Sequence, residues 1–198
     1  MNPIKTPIIK TIGHSNQPID RFVGLLKAGG VEVLIDVRST PYSRRFPQFG
    51  RERLTASLTG AGILYRYEGA ALGGKPPIDK SGAGASYDDL ANRPAFTAAL
   101  DRLVQGAADA TLCLMCAEKN PLDCHRTVLV SRRLAERGVV IEHLLADGRS
   151  EPHRAIEDKL LASNDPDGPD LFTKQEDRAT LLARAWQARE KAMKGKSA

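Results

Sequence analysis

Residues 110–138, ATLCLMCAEKNPLDCHRTVLVSRRLAERG, decide how this chain folds. The short, mainly apolar run from Ala110 to Met115 predicts a buried β-strand. A polar loop follows from Cys116 to Asp123, and a helix is then predicted to begin near Cys124 and to end at Gly138. All three cysteines of the protein lie in this stretch. We therefore expect the strand end and the first helical turn to form the floor of a reactive or ligand-binding site.

The same alternation of strand and helix occurs near the N-terminus. Residues 8–13 and 31–37 are rich in β-forming side chains, and an amphipathic helix between them ends at Gly29 and Gly30. A strand, a helix and a second strand within about 30 residues indicate a βαβ unit, with parallel strands and a right-handed crossover.

Hydrophobic periodicity predicts the remaining elements. Further strands are expected over 63–67 and 139–145, and further helices over 51–59, 94–105, 152–162 and 172–194. Residues 68–86 are expected to form a long loop that is mobile or functional. The predicted fold is α/β: a single domain over 1–162, with a mainly parallel sheet of about five strands flanked by helices, followed over 163–198 by a linker and a charged C-terminal helix.

Composition limits the classes of protein to which the chain can belong. Its net charge of +5 favours anionic partners, either a small molecule or a nucleic acid, although a mildly basic surface also serves solubility alone. No run is apolar enough to span a bilayer, and the N-terminus lacks a signal-peptide core. We therefore expect no membrane partner and a cytoplasmic protein with reduced cysteines. The sequence does not indicate the oligomeric state.

Reactive side chains follow the predicted strands at the points where those strands end. His14 follows the first strand, Asp36 closes the second, and Cys116 and Glu118 follow the strand at 110–115. Ligands of open parallel sheets bind beyond the carboxyl ends of the strands. Segments that are distant in the chain are therefore expected to meet at one edge, and this convergence is the main reason to propose a site.

The candidate catalytic residues combine thiol, imidazole and carboxylate groups, with a further thiol as a possible partner. A thiol near a helix N-terminus and an arginine has a lowered pKa and can act as a nucleophile. The alternatives are that the cysteines are small buried apolar residues and that Asp36 forms a salt bridge with Arg38 or Arg126. The predicted catalytic set is Cys116, Glu118, Asp36, His14 and His125, with Cys124 as the possible thiol partner.

The loop after the second strand is dense in arginine, hydroxyl and aromatic groups, which suits the binding of phosphate and a base. The alternative is a solvated loop whose aromatic rings are anchored in the core. The predicted substrate- and phosphate-binding residues are Arg38, Ser39, Tyr42, Arg44, Arg126 and Ser15, with Tyr42, Phe46 or Phe49 as stacking rings.

A metal cofactor is not expected, although one less favoured arrangement remains open. Cys113 and Cys116 have the C-x-x-C spacing, but residues i and i+3 of a strand point to opposite faces, so this pair cannot chelate. Cys116, Cys124 and His125 can surround a metal if the loop folds back, with His14 or His153 as a fourth ligand.

Three segments together resemble a known family: residues 11–15 (TIGHS), 36–43 (DVRSTPYS) and 116–126 (CAEKNPLDCHR). On these motifs the chain is identified as a member of the DUF488 family, a resemblance that runs from about residue 9 to 155. The family is named for its unknown function, so the resemblance implies a site more than a reaction. A weaker resemblance links residues 34–39 and 110–138 to rhodanese-like sulfurtransferases and cysteine phosphatases, which have a shorter loop between their cysteine and arginine.

Three hypotheses follow. The first is an enzyme that acts on a nucleotide or a nucleic-acid base, with an arginine clamp for phosphate. The second is a sulfurtransferase that carries sulfur on Cys116 or Cys124. The third is a non-catalytic module that binds nucleic acid or a structural metal.

Overall fold

The computed structural model describes residues 6–75, 85–164 and 176–195. Its sheet has six strands in the order β3-β2-β4-β1-β5-β6. Strands β1 to β5 are parallel to their neighbours, and β6 is antiparallel to β5. The strands are β1 (Ile8–Gly13), β2 (Val33–Asp36), β3 (Leu64–Tyr67), β4 (Leu112–Cys116), β5 (Val140–Leu144) and β6 (Ser150–Pro152).

Helices flank this sheet and connect its strands. The α-helices are α1 (Ile19–Ala28), α2 (Arg51–Thr59), α3 (Gly69–Leu72), α4 (Tyr87–Ala91), α5 (Pro94–Asp109), α6 (Arg132–Ala135), α7 (His153–Asn164) and α8 (Arg178–Gly195). Short 3₁₀ turns occupy Pro47–Phe49 and Pro121–Asp123, and a π-helical segment occupies Arg126–Ser131.

Strand β4 lies between β2 and β1 and ends at Cys116, one of the predicted site residues. All five of its residues are buried, as expected for a strand covered on both faces. It is flanked by β1, in a register that pairs Gly13 with Cys116, and by β2, in a register that pairs Asp36 with Met115. The carboxyl ends of the three strands therefore lie side by side.

Alternation along β4 sends its cysteines to opposite faces of the sheet. Cys113 packs in a core with α1 and α2 residues, whereas Cys116 packs in the larger core on the other face, together with Cys124. The two cysteines of the C-x-x-C sequence therefore do not converge, as the period of two along a strand predicts.

The predicted α/β fold with a mainly parallel sheet is confirmed, and so is the C-terminal helix. The structure adds the edge strand β6 and divides the helix expected from Cys124 to Gly138 into a π-helical and an α-helical part. Helix α8 docks through Ala185 and Trp186, which are buried in the larger core.

The segment expected as one long loop over 68–86 contains α3. Its central residues, 76–84, lie outside the described residues, as do 165–175 in the expected linker. Within the described part of the chain, no helix combines the length and the apolar character that crossing a membrane requires.

Candidate functional site at the carboxyl end of β4

Four potential ligand atoms gather where β4 ends. The thiols of Cys116 and Cys124 both donate to Glu118 Oε2, over 2.7 and 2.9 Å. His125 Nδ1 lies 3.5 Å from the sulfur of Cys116 and 4.0 Å from that of Cys124. All four atoms lie within 4.8 Å of one another. We refer to these four residues as the β4 centre.

The imidazole of His125 is held in one orientation. Its Nε2 lies 2.9 Å from the carbonyl oxygen of Val37, which only accepts, so Nε2 carries the proton. Nδ1 therefore directs a lone pair at the two thiols. Gly74 packs directly against the ring, and a Cβ placed there would lie 2.5 Å from His125 Cβ and Cγ. Only a residue without a side chain fits at this contact.

The loop that carries Glu118 is fixed through its backbone. Four consecutive carbonyl oxygens accept hydrogen bonds from the two residues that follow β1 and from the following helical segment. Gly13 lies so close that a Cβ on it would lie 1.9 Å from the Glu118 carbonyl oxygen. The donor–acceptor pairs are His14 N to Cys116 O (2.9 Å), Ser15 N to Ala117 O (2.9 Å), Arg126 Nη1 to Glu118 O (2.7 Å) and Arg126 Nη2 to Lys119 O (3.4 Å).

Arg126, predicted to bind phosphate, is buried beneath this loop. Its two terminal nitrogens bond the carbonyls of Glu118 and Lys119, and its Nε has no partner among the described residues. Its backbone N–H donates to Cys124 Sγ over 3.4 Å. In this structure Arg126 therefore positions the β4 centre, and its binding of phosphate stays a prediction.

Asp36 and Arg38, at the end of β2, form a buried ion pair. The Arg38 guanidinium donates to both oxygens of Asp36, over 2.9 and 2.7 Å, and also to the Phe49 carbonyl. The backbone N–H of Arg38 and the hydroxyl of Tyr65 donate to the same carboxylate. Asp36 is 0% exposed, so it has no open position for a substrate. The salt-bridge alternative describes this pair, and we name the network of Asp36, Arg38, Tyr65 and His14 the β2 network.

His14 joins this network rather than the thiols. Its ring stacks on Phe49 at 4.2 Å, its Nδ1 bonds the Ser15 carbonyl, and its Nε2 accepts from Arg38. Burial lowers the pKa of His14 to about 4, although the bond to Ser15 acts in the opposite direction. Neutral His14 thus has both ring nitrogens occupied, and neither is free to serve as a base for Cys116.

Burial and hydrogen bonding set the protonation of the β4 centre. Glu118 is exposed as a residue, but its carboxylate faces the thiols and is partly desolvated, which raises its pKa. The hydrogen bonds from Cys116 and Cys124 outweigh this effect, so the pKa lies below its usual range. Burial raises the pKa of Cys124 well above that of an ordinary thiol. For His125, burial lowers the pKa, but the interactions with Cys124 and the Val37 carbonyl give a net increase. The centre is therefore an ionised carboxylate beside the Cys124 thiol, which retains its proton.

The loop after β2 presents cationic and aromatic groups to solvent. Tyr42 is 67% exposed, and Arg44 and Arg45 are exposed as well. The hydroxyl of Ser39 accepts from the backbone N–H of Lys75, which ties this loop to the segment over His125. Of the three predicted stacking rings, Tyr42 is exposed, whereas Phe49 is fully buried against His14.

A hollow of about 530 Å³ lies at the same edge of the sheet, beyond β1 and β5. Ser15, Arg21, Lys119 and Asp147 contribute to its wall, whereas the four residues of the β4 centre do not. Ser15 has a φ of 49°, a backbone conformation that non-glycine residues seldom adopt. The loop that carries Glu118 therefore separates the thiols from this hollow.

Sequence reasoning missed several residues around the site. Tyr65, which donates to Asp36, and Gly74, which contacts His125, gave no signal, because neither lies in a recognisable motif. His153, considered as a metal ligand, instead bonds His143 over 3.0 Å and stacks on Trp186. Neither His153 nor His14 is part of the β4 centre.

Comparison with known proteins places the chain in a family. The family described as "Domain of unknown function DUF488" matches residues 18–133, more than half of the chain. The chain belongs to the DUF488 family. The match includes the β4 centre and the Asp36–Arg38 pair, but it begins after His14 and Ser15 and is narrower than the predicted 9–155.

No curated protein and no solved structure matches this chain. The weaker resemblance to rhodanese-like sulfurtransferases is not shown. In this chain the loop after β4 directs the carbonyl oxygens of Glu118 and Lys119 at Arg126, and does not form a ring of amide groups around the cysteine.

Proposed function

We propose that this DUF488 protein is an enzyme that acts on a nucleotide or a nucleic-acid base, with the β4 centre as its reactive group. The observation that carries this proposal is the convergence of two thiols, an imidazole and a carboxylate within 4.8 Å at the carboxyl edge of the sheet. Such a group provides acid–base and nucleophilic chemistry in one place. It also lies where open parallel sheets bind their ligands.

The charge of the surrounding surface supports an anionic substrate. Arg44, Arg45, Lys75 and Lys119 are exposed on loops at this edge, and among the described residues no carboxylate forms an ion pair with them. Guanidinium groups match phosphate oxygens, and the exposed ring of Tyr42 provides a face on which a base stacks. The proposed phosphate contacts are therefore centred on Arg44, because Arg38 and Arg126 are engaged within the protein.

Within this proposal Glu118 is the acid–base group and Cys116 is the nucleophile. Glu118 is the most exposed member of the centre, and its lowered pKa keeps it ionised at neutral pH. The sulfur of Cys116 lies 3.5 Å from His125 Nδ1. A base that takes the thiol proton has to lie in this position. Asp36 and His14 act as positioning residues.

Binding to single-stranded oligonucleotides across a salt series tests the surface. Each phosphate contact contributes about 0.7 to the slope of log affinity against log salt for single strands. We expect the double change Arg44→Ala with Arg45→Ala to reduce the slope by about 1.4. The control is Arg154→Ala, which removes an exposed arginine from the first turn of α7, after β6 has returned toward the opposite edge. Equal slopes for all three proteins would remove the loop from the proposal.

Product analysis tests the chemistry. Nucleotides and oligonucleotides incubated with the protein are examined by mass spectrometry for loss or exchange of a base substituent. We expect Glu118→Gln and Cys116→Ser to abolish any product that the unaltered protein forms, while oligonucleotide binding remains. Absence of product from the unaltered protein across the four common nucleotides and their oligomers would refute the enzymatic proposal.

A further inference from the structure

The donor atoms of the β4 centre have the composition and spacing of a transition-metal site. We propose that Cys116, Cys124 and His125 bind one zinc ion, with the carboxylate of Glu118 in the fourth position. This site uses the same four residues as the proposed function in a different state, because Cys116 and His125 cannot act as nucleophile and base while they bind zinc. A metal ion held there stabilises the loop whether or not the chain acts on nucleotides.

The distances are close to those around a tetrahedral ion and require small movements of the ligands. Zinc lies about 2.0–2.3 Å from its ligands, so neighbouring ligand atoms are about 3.3–3.8 Å apart. The sulfur–nitrogen distances from His125 are already 3.5 and 4.0 Å. The distances from Glu118 Oε2 to the thiols, 2.7 and 2.9 Å, are too short. The carboxylate, on the loop, has to move outward by less than about 1 Å.

The surroundings orient the ligands as they do around bound metals. A ligating histidine usually donates its other N–H to a carbonyl or a carboxylate, and His125 donates from Nε2 to the Val37 carbonyl. The N–H of Arg126 points at Cys124 Sγ, which stabilises a thiolate. The backbone on both sides of Glu118 is held by hydrogen bonds to its carbonyls. Little ordering of the protein is therefore required when an ion binds.

The ion replaces protons, so the charge is conserved. In this structure the two thiols donate hydrogen bonds to one carboxylate oxygen. Binding follows Zn²⁺ + 2 RSH → Zn(SR)₂ + 2 H⁺, in which the two S–H bonds break, the two zinc–sulfur bonds form and both protons leave to solvent. Two thiolates and a neutral imidazole favour zinc over magnesium or calcium, which take oxygen ligands.

The four ligands differ in exposure, which assigns them different roles. Cys116 and Cys124 are buried and His125 is nearly so, whereas Glu118 is exposed. The three enclosed ligands retain the ion, and Glu118 is the ligand that water or a substrate atom replaces. An exchangeable fourth position is typical of catalytic rather than structural zinc.

Metal analysis of protein purified without a histidine tag is the first test. We expect about one zinc per chain in the unaltered protein and in Cys113→Ala, which removes a cysteine on the opposite face of the sheet. We expect Cys116→Ser, Cys124→Ser and His125→Asn to lose at least nine-tenths of that zinc while remaining folded by circular dichroism. Zinc at the same level in a folded Cys124→Ser protein would overturn the proposal.

A second measurement uses only the unaltered protein, so it holds even if those variants fail to fold. Protein stripped with a chelator is titrated with zinc chloride in weak buffer, and about two protons are expected to be released per ion. A stripped, folded protein that binds no zinc and releases no protons would refute the site. Zinc binding without any nucleotide product would leave the metal site standing and refute only the enzymatic proposal.

Discussion

The β2 network and the β4 centre are adjacent polar groups that differ in how their donors and acceptors are paired. At the end of β2, the side-chain donors of Arg38 and Tyr65 point at the Asp36 carboxylate, at His14 Nε2 or at the Phe49 carbonyl. At the end of β4, acceptors and thiols point at one another, and one carboxylate oxygen serves two sulfurs. A network whose members are mutually satisfied stabilises a scaffold, whereas converging lone pairs create a place for a ligand. The difference lies in side-chain direction, because both groups occupy the same edge of one sheet.

The largest expected effect breaks the β2 network. Replacing Asp36→Asn leaves the buried guanidinium of Arg38 without its opposite charge, and we expect a loss of about 3–5 kcal/mol in the free energy of unfolding. The control, Glu118→Gln, changes an exposed carboxylate of the β4 centre and is expected to cost less than about 1 kcal/mol. Urea denaturation measures both variants. Equal losses would show that the two groups contribute alike to stability and would end the contrast.

A buried histidine pair outside both groups, His143 and His153, gives the protein a second source of pH-dependent stability. Burial lowers the pKa of His153 to about 4 and that of its partner His143 well below its usual range. The unfolded chain binds protons near pH 6.5, whereas the folded chain does so only near pH 4, so stability is full above 6.5 and falls as the pH drops toward 4. For His153 this loss is on the order of 3 kcal/mol.

The variant His153→Gln tests this assignment, because glutamine retains a hydrogen-bonding group beside His143. We expect its stability to decline less than that of the unaltered protein between pH 6.5 and 4, as measured by chemical denaturation in a pH series. Parallel curves for the two proteins would contradict a neutral, buried His153.

A smaller effect is expected from the contact between β1 and the loop of the β4 centre. Gly13→Ala places a Cβ where the Glu118 carbonyl now lies, so the loop must shift, and we expect a loss of about 1–3 kcal/mol. Gly24→Ala, in α1, is the matched control, because nothing lies within 4 Å of its added Cβ. It is expected to stabilise the helix by up to about 1 kcal/mol. Thermal unfolding distinguishes the two, and a tolerated Gly13→Ala would show that the loop is not tightly held.

The smallest effect compares two tyrosine hydroxyls on β3. Tyr65 donates to the Asp36 carboxylate over 2.8 Å, whereas Tyr67 donates to the neutral Ser39 carbonyl over 3.0 Å. We expect Tyr65→Phe to cost about 1.5 kcal/mol and Tyr67→Phe about half as much, because hydrogen bonds to charged groups are stronger. Denaturation curves of the two variants, recorded side by side, provide the comparison. The reverse order would indicate that the carboxylate does not depend on Tyr65.

The backbone could largely be predicted from the sequence, because apolar runs such as 112–116 mark buried strands and glycines mark helix ends. The rule that ligands lie beyond the carboxyl ends of strands predicted that Asp36 and Cys116 would share an edge. Their partners could not be predicted, since pairing depends on side-chain direction in three dimensions. Arg126 points beneath its own loop and His14 points at Phe49, and neither orientation has a signature in the spacing of residues.

The π-helical segment from Arg126 to Ser131 has a consequence for how this centre arose. A π turn contains one residue more than the corresponding α turn, and such turns are frequent at functional sites. Removing one residue would restore α-helical geometry and rotate everything before the cut by about 100° around the axis. Cys124 and His125 would then swing away from Cys116, although the sheet and the following helix would remain. A single inserted codon is thus enough to turn an ordinary helix start into a cluster of converging thiol and imidazole side chains.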